Sequence, residues 1–172
     1  RIEAGTFLII AAAAGEKVIV QNVIPQHLEA VTSKLKEIGV KMDIVGDSII
    51  VHGGIENLKP VDIRTQVYPG FATDLQQPLT TLLTQCQGES QVVETIYPER
   101  FGHCYQLNSM GANIIQEEAM CFVNGPTPLH GTRVYATDLR CGAALIVAGL
   151  MAKGVTEIGN VYHIDRGYDN ID

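Results

Sequence analysis

Hydrophobic positions with helical spacing occur twice near the start of the chain. Residues 7–14 are continuously apolar, and apolar residues recur at three- and four-residue intervals over 28–38. Both patterns predict helices, and the second pattern predicts an amphipathic one. Gly15 and Gly39 follow the two runs at the place where glycine commonly ends a helix, so we expect each helix to stop there.

Strand-like segments separate and follow these helices. Residues 17–20, 40–45 and 48–52 are short, and their apolar side chains alternate or run together, a pattern typical of strands. Gly46 and Asp47 lie between the last two segments and predict a hairpin turn. The first unit of the chain therefore has the order helix–strand–helix–strand–strand.

A second unit repeats this order. Its expected elements are a helix, a strand, a second helix and two strands, at 74–87, 90–94, 99–110, 112–116 and 120–123. Gly39 and Gly53 are fourteen positions apart in the first unit, and Gly111 and Gly125 are fourteen positions apart in the second. This matching spacing indicates an internal repeat.

The third unit is shorter. It contains a helix after Thr137 that we expect to end at Gly154, a strand at 155–158 and a turn at 160–163. The chain stops before a second helix and hairpin, and it begins with Arg1, so we expect a truncated or excised piece. Three such units, each entered through an extended segment, predict an α/β (α+β) fold. Around a pseudo-threefold axis they would form an inside-out barrel with helices inside and sheets outside.

The tripeptide Thr-Asp-Leu occurs twice, each time directly before an apolar helix. From local sequence alone, Asp74 and Asp138 are both expected to cap those helices, because Asp favours the N-cap position. Gln77 would complete a capping box with Asp74, and Pro78 is tolerated only in the first turn of a helix. Gly88 is expected to end the first of the two helices.

The composition is that of an ordinary globular protein. The 172 residues are 46% hydrophobic and 18% charged, which suits one domain that buries roughly 70% of its unfolded surface. The net charge of −7 argues against nucleic acid or an anionic membrane surface as a partner. No apolar run approaches the roughly 20 residues of a transmembrane helix, so no membrane span is expected.

The cysteines predict the redox environment of the protein. They form no C-x-x-C pair and lie in apolar or helical surroundings, at Cys86, Cys104, Cys121 and Cys141. Such residues are expected to be buried free thiols in a reducing compartment, which predicts a cytoplasmic protein. His103 and His163 stand apart from other metal-binding side chains, so no metal site is predicted.

Five motifs carry a resemblance to a known family: RIEAGTF at 1–7, YPGFATDLQ at 68–76, ERF at 99–101, ATDLR at 136–140 and HIDRGY at 163–168. With these motifs in this order, the chain resembles the UDP-N-acetylglucosamine 1-carboxyvinyltransferases over essentially its whole length. These are bacterial transferases of cell-wall biogenesis that catalyse the first committed step of peptidoglycan synthesis. The resemblance implies the C-terminal-side domain of a two-domain enzyme, built of three similar units with internal helices and external sheets.

The reaction that this resemblance implies is an addition–elimination without a cofactor. The 3-hydroxyl of UDP-N-acetylglucosamine attacks carbon 2 of phosphoenolpyruvate, a tetrahedral ketal forms, and phosphate leaves to give the enolpyruvyl ether. The resemblance implies that Asp74 is the catalytic base and also contacts the UDP-sugar. It implies that the backbone at Ile96 binds the UDP-sugar, and that Arg100 and Arg166 lie on the phosphoenolpyruvate side.

Asp138 and Arg140 match a further family pair that we assign to the catalytic cleft. Ala72 stands where the family usually has proline, which changes only the stiffness of a turn. The family's lysine–asparagine motif and the loop with its catalytic cysteine or aspartate are not found in this sequence. The resemblance therefore implies a single, incomplete enolpyruvyl transferase domain over 1–172, with half an active site and no turnover without its partner domain.

The residues by themselves leave two other functions open. A 5-enolpyruvylshikimate-3-phosphate synthase would share the architecture and phosphoenolpyruvate. A non-catalytic repeat module would only bind a partner; it predicts that Asp74, Arg100 and Arg166 scatter over the surface, whereas an enzyme predicts that they converge in one cleft. Without the resemblance, Arg100 would be a solvated residue of an amphipathic helix, and Asp165 and Arg166 a local ion pair.

Overall fold

The computed structural model of the protein describes residues 1–169 and 171. Its helices are α1 (Ile2–Ala14), α2 (Glu29–Ile38), α3 (Thr73–Leu83), α4 (Gly102–Ser109), α5 (Leu139–Met151) and α6 (Tyr162–Asp165). Its strands are β1 (Lys17–Val20), β2 (Lys41–Val45), β3 (Ser48–His52), β4 (Ile63–Arg64), β5 (Gly88–Val93), β6 (Asn113–Glu117), β7 (Met120–Gly125), β8 (Arg133–Tyr135) and β9 (Glu157–Gly159). A 3₁₀ turn, Pro25–Leu28, precedes α2. The predicted mixed α/β fold is confirmed.

The internal repeat is visible in the order of the elements and in the sheets. The order α1-β1-α2-β2-β3 of the first unit is matched by α3-β5-α4-β6-β7 in the second. The first sheet has the strand order β1-β3-β2, and the second contains β5-β7-β6 with β4 added at its edge. β4 pairs with β5 in parallel, as β8 pairs with β9 in the third unit.

The first helices of the three units form the centre of the molecule. α1, α3 and α5 contact one another, and each also contacts a strand of its own unit. Their side chains at Leu8, Leu79, Leu82 and Leu145 are fully buried. The alternation along the strands leaves one face of each sheet for the core, as at Ile49 and Val51, which are also fully buried. Removal of this apolar surface from water is the main force holding the helices together.

The repeated glycines have a structural cause. Gly39 (φ 111°) and Gly111 (φ 104°) lie just after α2 and α4 in the left-handed conformation that favours glycine. Gly53 and Gly125 follow β3 and end β7, where the chain passes against the end of a central helix. A Cβ on Gly53 would overlap the carbonyl oxygen of Ala11, and one on Gly125 would lie 2.5 Å from that of Thr84. The fourteen-residue spacing is therefore fixed by one turn and one close approach in each unit.

Several boundaries in the second and third units differ from the sequence predictions. α3 ends at Leu83 instead of Gly88, and Gly88 (φ 142°) is the first residue of β5. Pro78 lies inside α3, beyond its first turn. It is tolerated there although it cannot donate to the carbonyl of Asp74. α4 begins at Gly102 instead of residue 99, so Arg100 belongs to the preceding turn.

The short strands β4 and β8 have two and three residues. The sequence predicts extended segments there, but segments this short carry no periodicity that identifies a strand. None of the helices that the structure describes is both long and apolar enough to span a bilayer.

Candidate functional site

Asp74 lies at the meeting point of three parts of the chain that are distant in sequence. Its Oδ1 accepts a hydrogen bond from Nη1 of Arg100 at 2.8 Å and lies 3.2 Å from Nε of Arg140. Asp74 comes from the first turn of α3, Arg100 from the turn before α4, and Arg140 from the first turn of α5. The three side chains are partly exposed, Asp74 to 31%. They form a charge-assisted cluster that a ligand can reach.

The two aspartates at helix starts differ in what they bind. Asp138 is the N-cap of α5, and its Oδ1 accepts from the backbone N–H groups of Arg140 (2.7 Å) and Cys141 (3.0 Å). This confirms the predicted cap. Ala72 is the N-cap of α3, and no side chain caps that helix. The predicted cap by Asp74 and the capping box with Gln77 are therefore wrong.

The carboxylate of Glu94 organises the region beside Asp74. Glu94 is 1% exposed. Its Oε1 accepts from the hydroxyl of Thr65 (2.7 Å) and from the backbone N–H groups of Ile96 (2.9 Å) and Tyr97 (3.1 Å). Its Oε2 accepts from the hydroxyl of Thr73 at 2.9 Å. One buried carboxylate thus joins the end of β4, the end of β5, the turn at 95–97 and the start of α3.

Sequence reasoning placed Glu94 only as the last residue of a strand. The one feature of the sequence that could have identified Glu94 is its place between a strand and a turn. A carboxylate directly before a turn can accept hydrogen bonds from the turn's exposed N–H groups. The hydroxyls that complete its shell come from residues 29 and 21 positions away. No local pattern in the sequence reveals such contacts.

Arg100 has partners on three sides. Besides Asp74, its Nη1 donates to the hydroxyl oxygen of Thr73 at 3.2 Å. Its guanidinium carbon lies 4.3 Å from the centre of the Tyr97 ring, in cation–π contact. The interpretation of Arg100 as a solvated helix residue is wrong, since it precedes α4 and is bound to neighbouring side chains.

Arg140 is connected through Tyr168 to the first unit. Its Nη1 lies 3.4 Å from the hydroxyl of Tyr168, which in turn lies 2.9 Å from the hydroxyl of Thr6 on α1. Tyr168 is 4% exposed, and its ring packs edge-on against Phe7 at 6.5 Å between centroids. The HIDRGY motif therefore contributes a buried tyrosine that orients an arginine of the site.

Ile96 and Arg166 are accessible. Ile96 is exposed and lines an open surface groove together with residues of the turn before α3: Gln66, Val67, Tyr68, Pro69 and Gly70. Arg166 follows α6 with an exposed side chain. No ion pair joins it to Asp165 among the contacts that the structure describes. The structure thus joins Asp74, Arg100 and Arg140 directly, and the placement of Arg166 beside them stays a prediction.

The cysteines take no part in this cluster. All four are buried and free, as predicted: Cys86, Cys104, Cys121 and Cys141. Burial raises the pKa of the Cys86 thiol to about 12, so this thiol is protonated and unreactive at neutral pH. Over the described residues, no three His, Cys, Asp or Glu side chains come together in a way that would hold a metal ion.

Comparison with known proteins identifies a family. The family model described as EPSP synthase (3-phosphoshikimate 1-carboxyvinyltransferase) matches residues 1–172. The chain is 55% identical over 172 residues to "UDP-N-acetylglucosamine 1-carboxyvinyltransferase 2" of Bacillus subtilis (strain 168), covering all of this chain and 40% of that protein. The protein of the same name from Geobacillus kaustophilus (strain HTA426) is 56% identical over 171 residues, 99% of this chain and 40% of that protein. The resemblance read from the motifs is confirmed, and the chain spans about 40% of the length of these relatives.

Two solved structures share the fold. The enolpyruvyl transferase NikO from Streptomyces tendae superimposes with a TM-score of 0.87 at 29% identity, over 97% of this chain and 40% of that chain. The EPSP synthase from Acinetobacter baumannii gives a TM-score of 0.69 at 17% identity, over 96% of this chain and 42% of that chain. At 17% identity the second likeness concerns the fold alone.

Proposed function

Because the chain belongs to the EPSP synthase family, we propose that it is one domain of an enolpyruvyl transferase acting on phosphoenolpyruvate and UDP-N-acetylglucosamine. The name and the 55% identity of the Bacillus subtilis relative support this choice of substrates. The observation that carries the proposal is the convergence of Asp74, Arg100 and Arg140 from three separate elements. A module that only bound a partner predicts that the candidate residues scatter over the surface, whereas Asp74 and Arg100 are in direct contact.

Asp74 is proposed as the base of the addition step. Both arginine contacts go to Oδ1, and within the described residues no hydrogen bond reaches Oδ2. Oδ2 is thus the atom that would take the proton of the sugar 3-hydroxyl, whose oxygen bonds to carbon 2 of phosphoenolpyruvate while carbon 3 gains a proton. The resulting ketal then breaks its bond to the phosphate oxygen, loses a proton from carbon 3, and releases phosphate with the enolpyruvyl ether.

The arginines are proposed to bind the anionic groups of phosphoenolpyruvate. Guanidinium groups match carboxylate and phosphate oxygens in a planar, bidentate geometry and keep their charge at any physiological pH. Arg100 and Arg166 are assigned to this substrate, with Arg140 beside them and Asp138 fixing the helix start that carries Arg140. The backbone at Ile96, on the open groove, is assigned to the UDP-sugar.

The remainder of the enzyme is proposed to supply the other wall of the cleft and the proton donor to carbon 3. In the full-length protein the third repeat would be completed, giving three units in an inside-out α/β barrel. The same proposal places the enzyme in the cytoplasm of a bacterium, at the first committed step of peptidoglycan synthesis. It also predicts that the 172-residue chain alone has no transferase turnover.

The test is phosphate release by the full-length protein from phosphoenolpyruvate and UDP-N-acetylglucosamine. Asp74→Asn keeps the shape of the side chain and removes the base, so we expect a loss of roughly 10²–10⁴-fold in kcat. Asp43→Asn is the matched control, because Asp43 also contacts a nitrogen-bearing side chain, Nε2 of His52 at 2.9 Å, on an outer strand. Equal activity of the Asp74 and Asp43 variants would contradict the role of Asp74.

The same assay separates the two enzyme classes. The family model carries the EPSP synthase name, so shikimate 3-phosphate is offered in place of the UDP-sugar in a parallel reaction. We expect phosphate release only with UDP-N-acetylglucosamine. Release with shikimate 3-phosphate alone would replace this proposal by the synthase, and release by the 172-residue chain alone would contradict the divided active site.

A further inference from the structure

We infer that Glu94 is a positioning residue that sets the orientation of Arg100 through two separate contacts; the inference rests on the proposed function of the Asp74 cluster. Glu94 does not touch Arg100. It binds two of the three groups that do, Thr73 and Tyr97, while the third group is Asp74 itself.

The first contact runs through a hydroxyl. Thr73 donates its only hydroxyl proton to Oε2 of Glu94 at 2.9 Å. Its oxygen lone pairs are thereby turned toward Arg100, whose Nη1 donates to the same oxygen at 3.2 Å. Because the hydroxyl has one proton and Glu94 holds it, Thr73 presents an acceptor to the guanidinium group.

The second contact runs through the backbone. Oε1 of Glu94 accepts from the N–H groups of Ile96 and Tyr97, at 2.9 and 3.1 Å. These two bonds fix the turn that carries the Tyr97 ring, and Arg100 lies over that ring at 4.3 Å. A guanidinium held on one edge by a hydroxyl and on one face by an aromatic ring has little freedom to rotate.

The surroundings of Glu94 are unusual for a structural carboxylate. It is 1% exposed, yet none of the ion pairs in the described part of the chain includes it. Its charge is compensated by four neutral donors, two hydroxyls and two N–H groups. A buried anion without a cation is costly unless hydrogen bonds replace its water. The four bonds hold this carboxylate where it joins Thr73 to the turn of Tyr97, the two groups through which it acts on Arg100.

Glu94→Gln is expected to remove the contact through the Thr73 hydroxyl and to keep the contact through the backbone of the turn. The amide oxygen of glutamine can keep the three bonds that Oε1 accepts, so the turn at 95–97 is retained. The amide nitrogen then faces Thr73 and is a donor, so the hydroxyl must turn its proton away and Arg100 loses its oriented acceptor. Thr73→Val removes the same hydroxyl with little change in shape. Ser90→Ala is the matched structural control on β5, because Ser90 is buried and, among the described residues, accepts from the N–H of Val61 alone, at 3.0 Å.

The experiment measures kcat and KM for each substrate in the full-length protein. For Glu94→Gln we expect kcat/KM for phosphoenolpyruvate to fall roughly 10²-fold, the loss typical of a reacting group misplaced by about 1 Å. KM for UDP-N-acetylglucosamine is expected to stay unchanged, and Thr73→Val in the Glu94→Gln background to add no further loss. Ser90→Ala should lower thermal stability and leave both kinetic constants unchanged.

Two outcomes in Glu94→Gln would overturn the inference: kcat/KM for phosphoenolpyruvate within about threefold of the parent enzyme, or a rise in KM for UDP-N-acetylglucosamine. A second measurement is independent of turnover. Slow solvent exchange of the Arg100 guanidinium protons, followed by ¹⁵N NMR in the same full-length proteins, should be retained in Ser90→Ala and lost in Glu94→Gln. If the parent protein itself releases no phosphate, the proposed function fails, and the NMR comparison alone decides the role of Glu94.

Discussion

The starts of α3 and α5 have the same tripeptide and use it differently. In α5, Asp138 stands before the helix and its carboxylate binds two backbone N–H groups. In α3, the helix begins two positions earlier in the tripeptide, at Thr73 instead of the leucine, so Asp74 is inside the first turn. Its carboxylate binds Arg100 and Arg140 instead of the backbone. A shift of two residues in the helix start thus turns a structural carboxylate into one that a ligand can reach.

The partners of the preceding threonines explain this shift. Thr73 is held by Glu94 at 2.9 Å and by Arg100 at 3.2 Å. Thr137 is exposed, and its one side-chain bond goes to its neighbour Asp138 at 3.4 Å within the described residues. Contacts from residues 21 and 27 positions away therefore set the start of α3, whereas local capping sets the start of α5.

The largest expected effect comes from removing each aspartate in turn. Asp74→Ala should abolish most phosphate release and change the free energy of unfolding by less than about 1 kcal/mol, since its ion pairs are partly solvated. Asp138→Ala should cost about 1 kcal/mol of stability through the lost cap. Urea unfolding and the phosphate assay on both variants check the contrast, and Asp138→Ser, which restores a capping oxygen, is the control. A loss of stability with Asp74→Ala that matched the loss with Asp138→Ala would remove the distinction.

The next effect concerns the two threonines that precede the aspartates, Thr73 and Thr137, and their contributions to stability. Thr73→Val leaves Oε2 of the buried Glu94 without its donor, so we expect a loss of about 1–3 kcal/mol in the free energy of unfolding. Thr137→Val removes a long bond on an exposed side chain, and its effect should stay within about 0.5 kcal/mol. Thermal unfolding of the two variants side by side measures the difference. Equal destabilisation would show that α3 is not anchored through Thr73.

The smallest expected effect comes from Ala72, one of the two alanines that precede the threonines. Ala72 has φ −68°, which proline can adopt, and its N–H makes none of the backbone bonds recorded for the described turns and loops. Ala72→Pro should therefore stabilise the protein by about 0.4–1 kcal/mol. Ala136 donates to the carbonyl of Gly159 at 3.1 Å, so Ala136→Pro should cost about 1–3 kcal/mol. Shifts of the thermal midpoint in the same direction for both variants would contradict this account.

Local patterns in the sequence were enough for most of the fold. The spacing of apolar residues predicts α1, α2 and the hairpin β2-β3, because periodicity records which face of an element is buried. The repeated glycines predict the second unit, because the same turns and close approaches recur in it. The resemblance to the transferases brought Asp74, Arg100 and Arg140 together as candidates before their distances were known. Their catalytic roles, and that of Arg166, stay predictions.

The sequence alone determined the α/β class, the order of the repeated units, the cap at Asp138 and the burial of the four cysteines. Only the tertiary structure decided that Asp74 does not cap α3, that Pro78 lies within that helix, and that Glu94 is the centre of the network beside the site. The physical reason is the separation along the chain between the residues that interact. Helical or strand periodicity, helix caps and glycine turns depend on residues that are neighbours in the chain. The hydrogen-bond and ion-pair partners of Asp74 and Glu94 include side chains that only folding brings together.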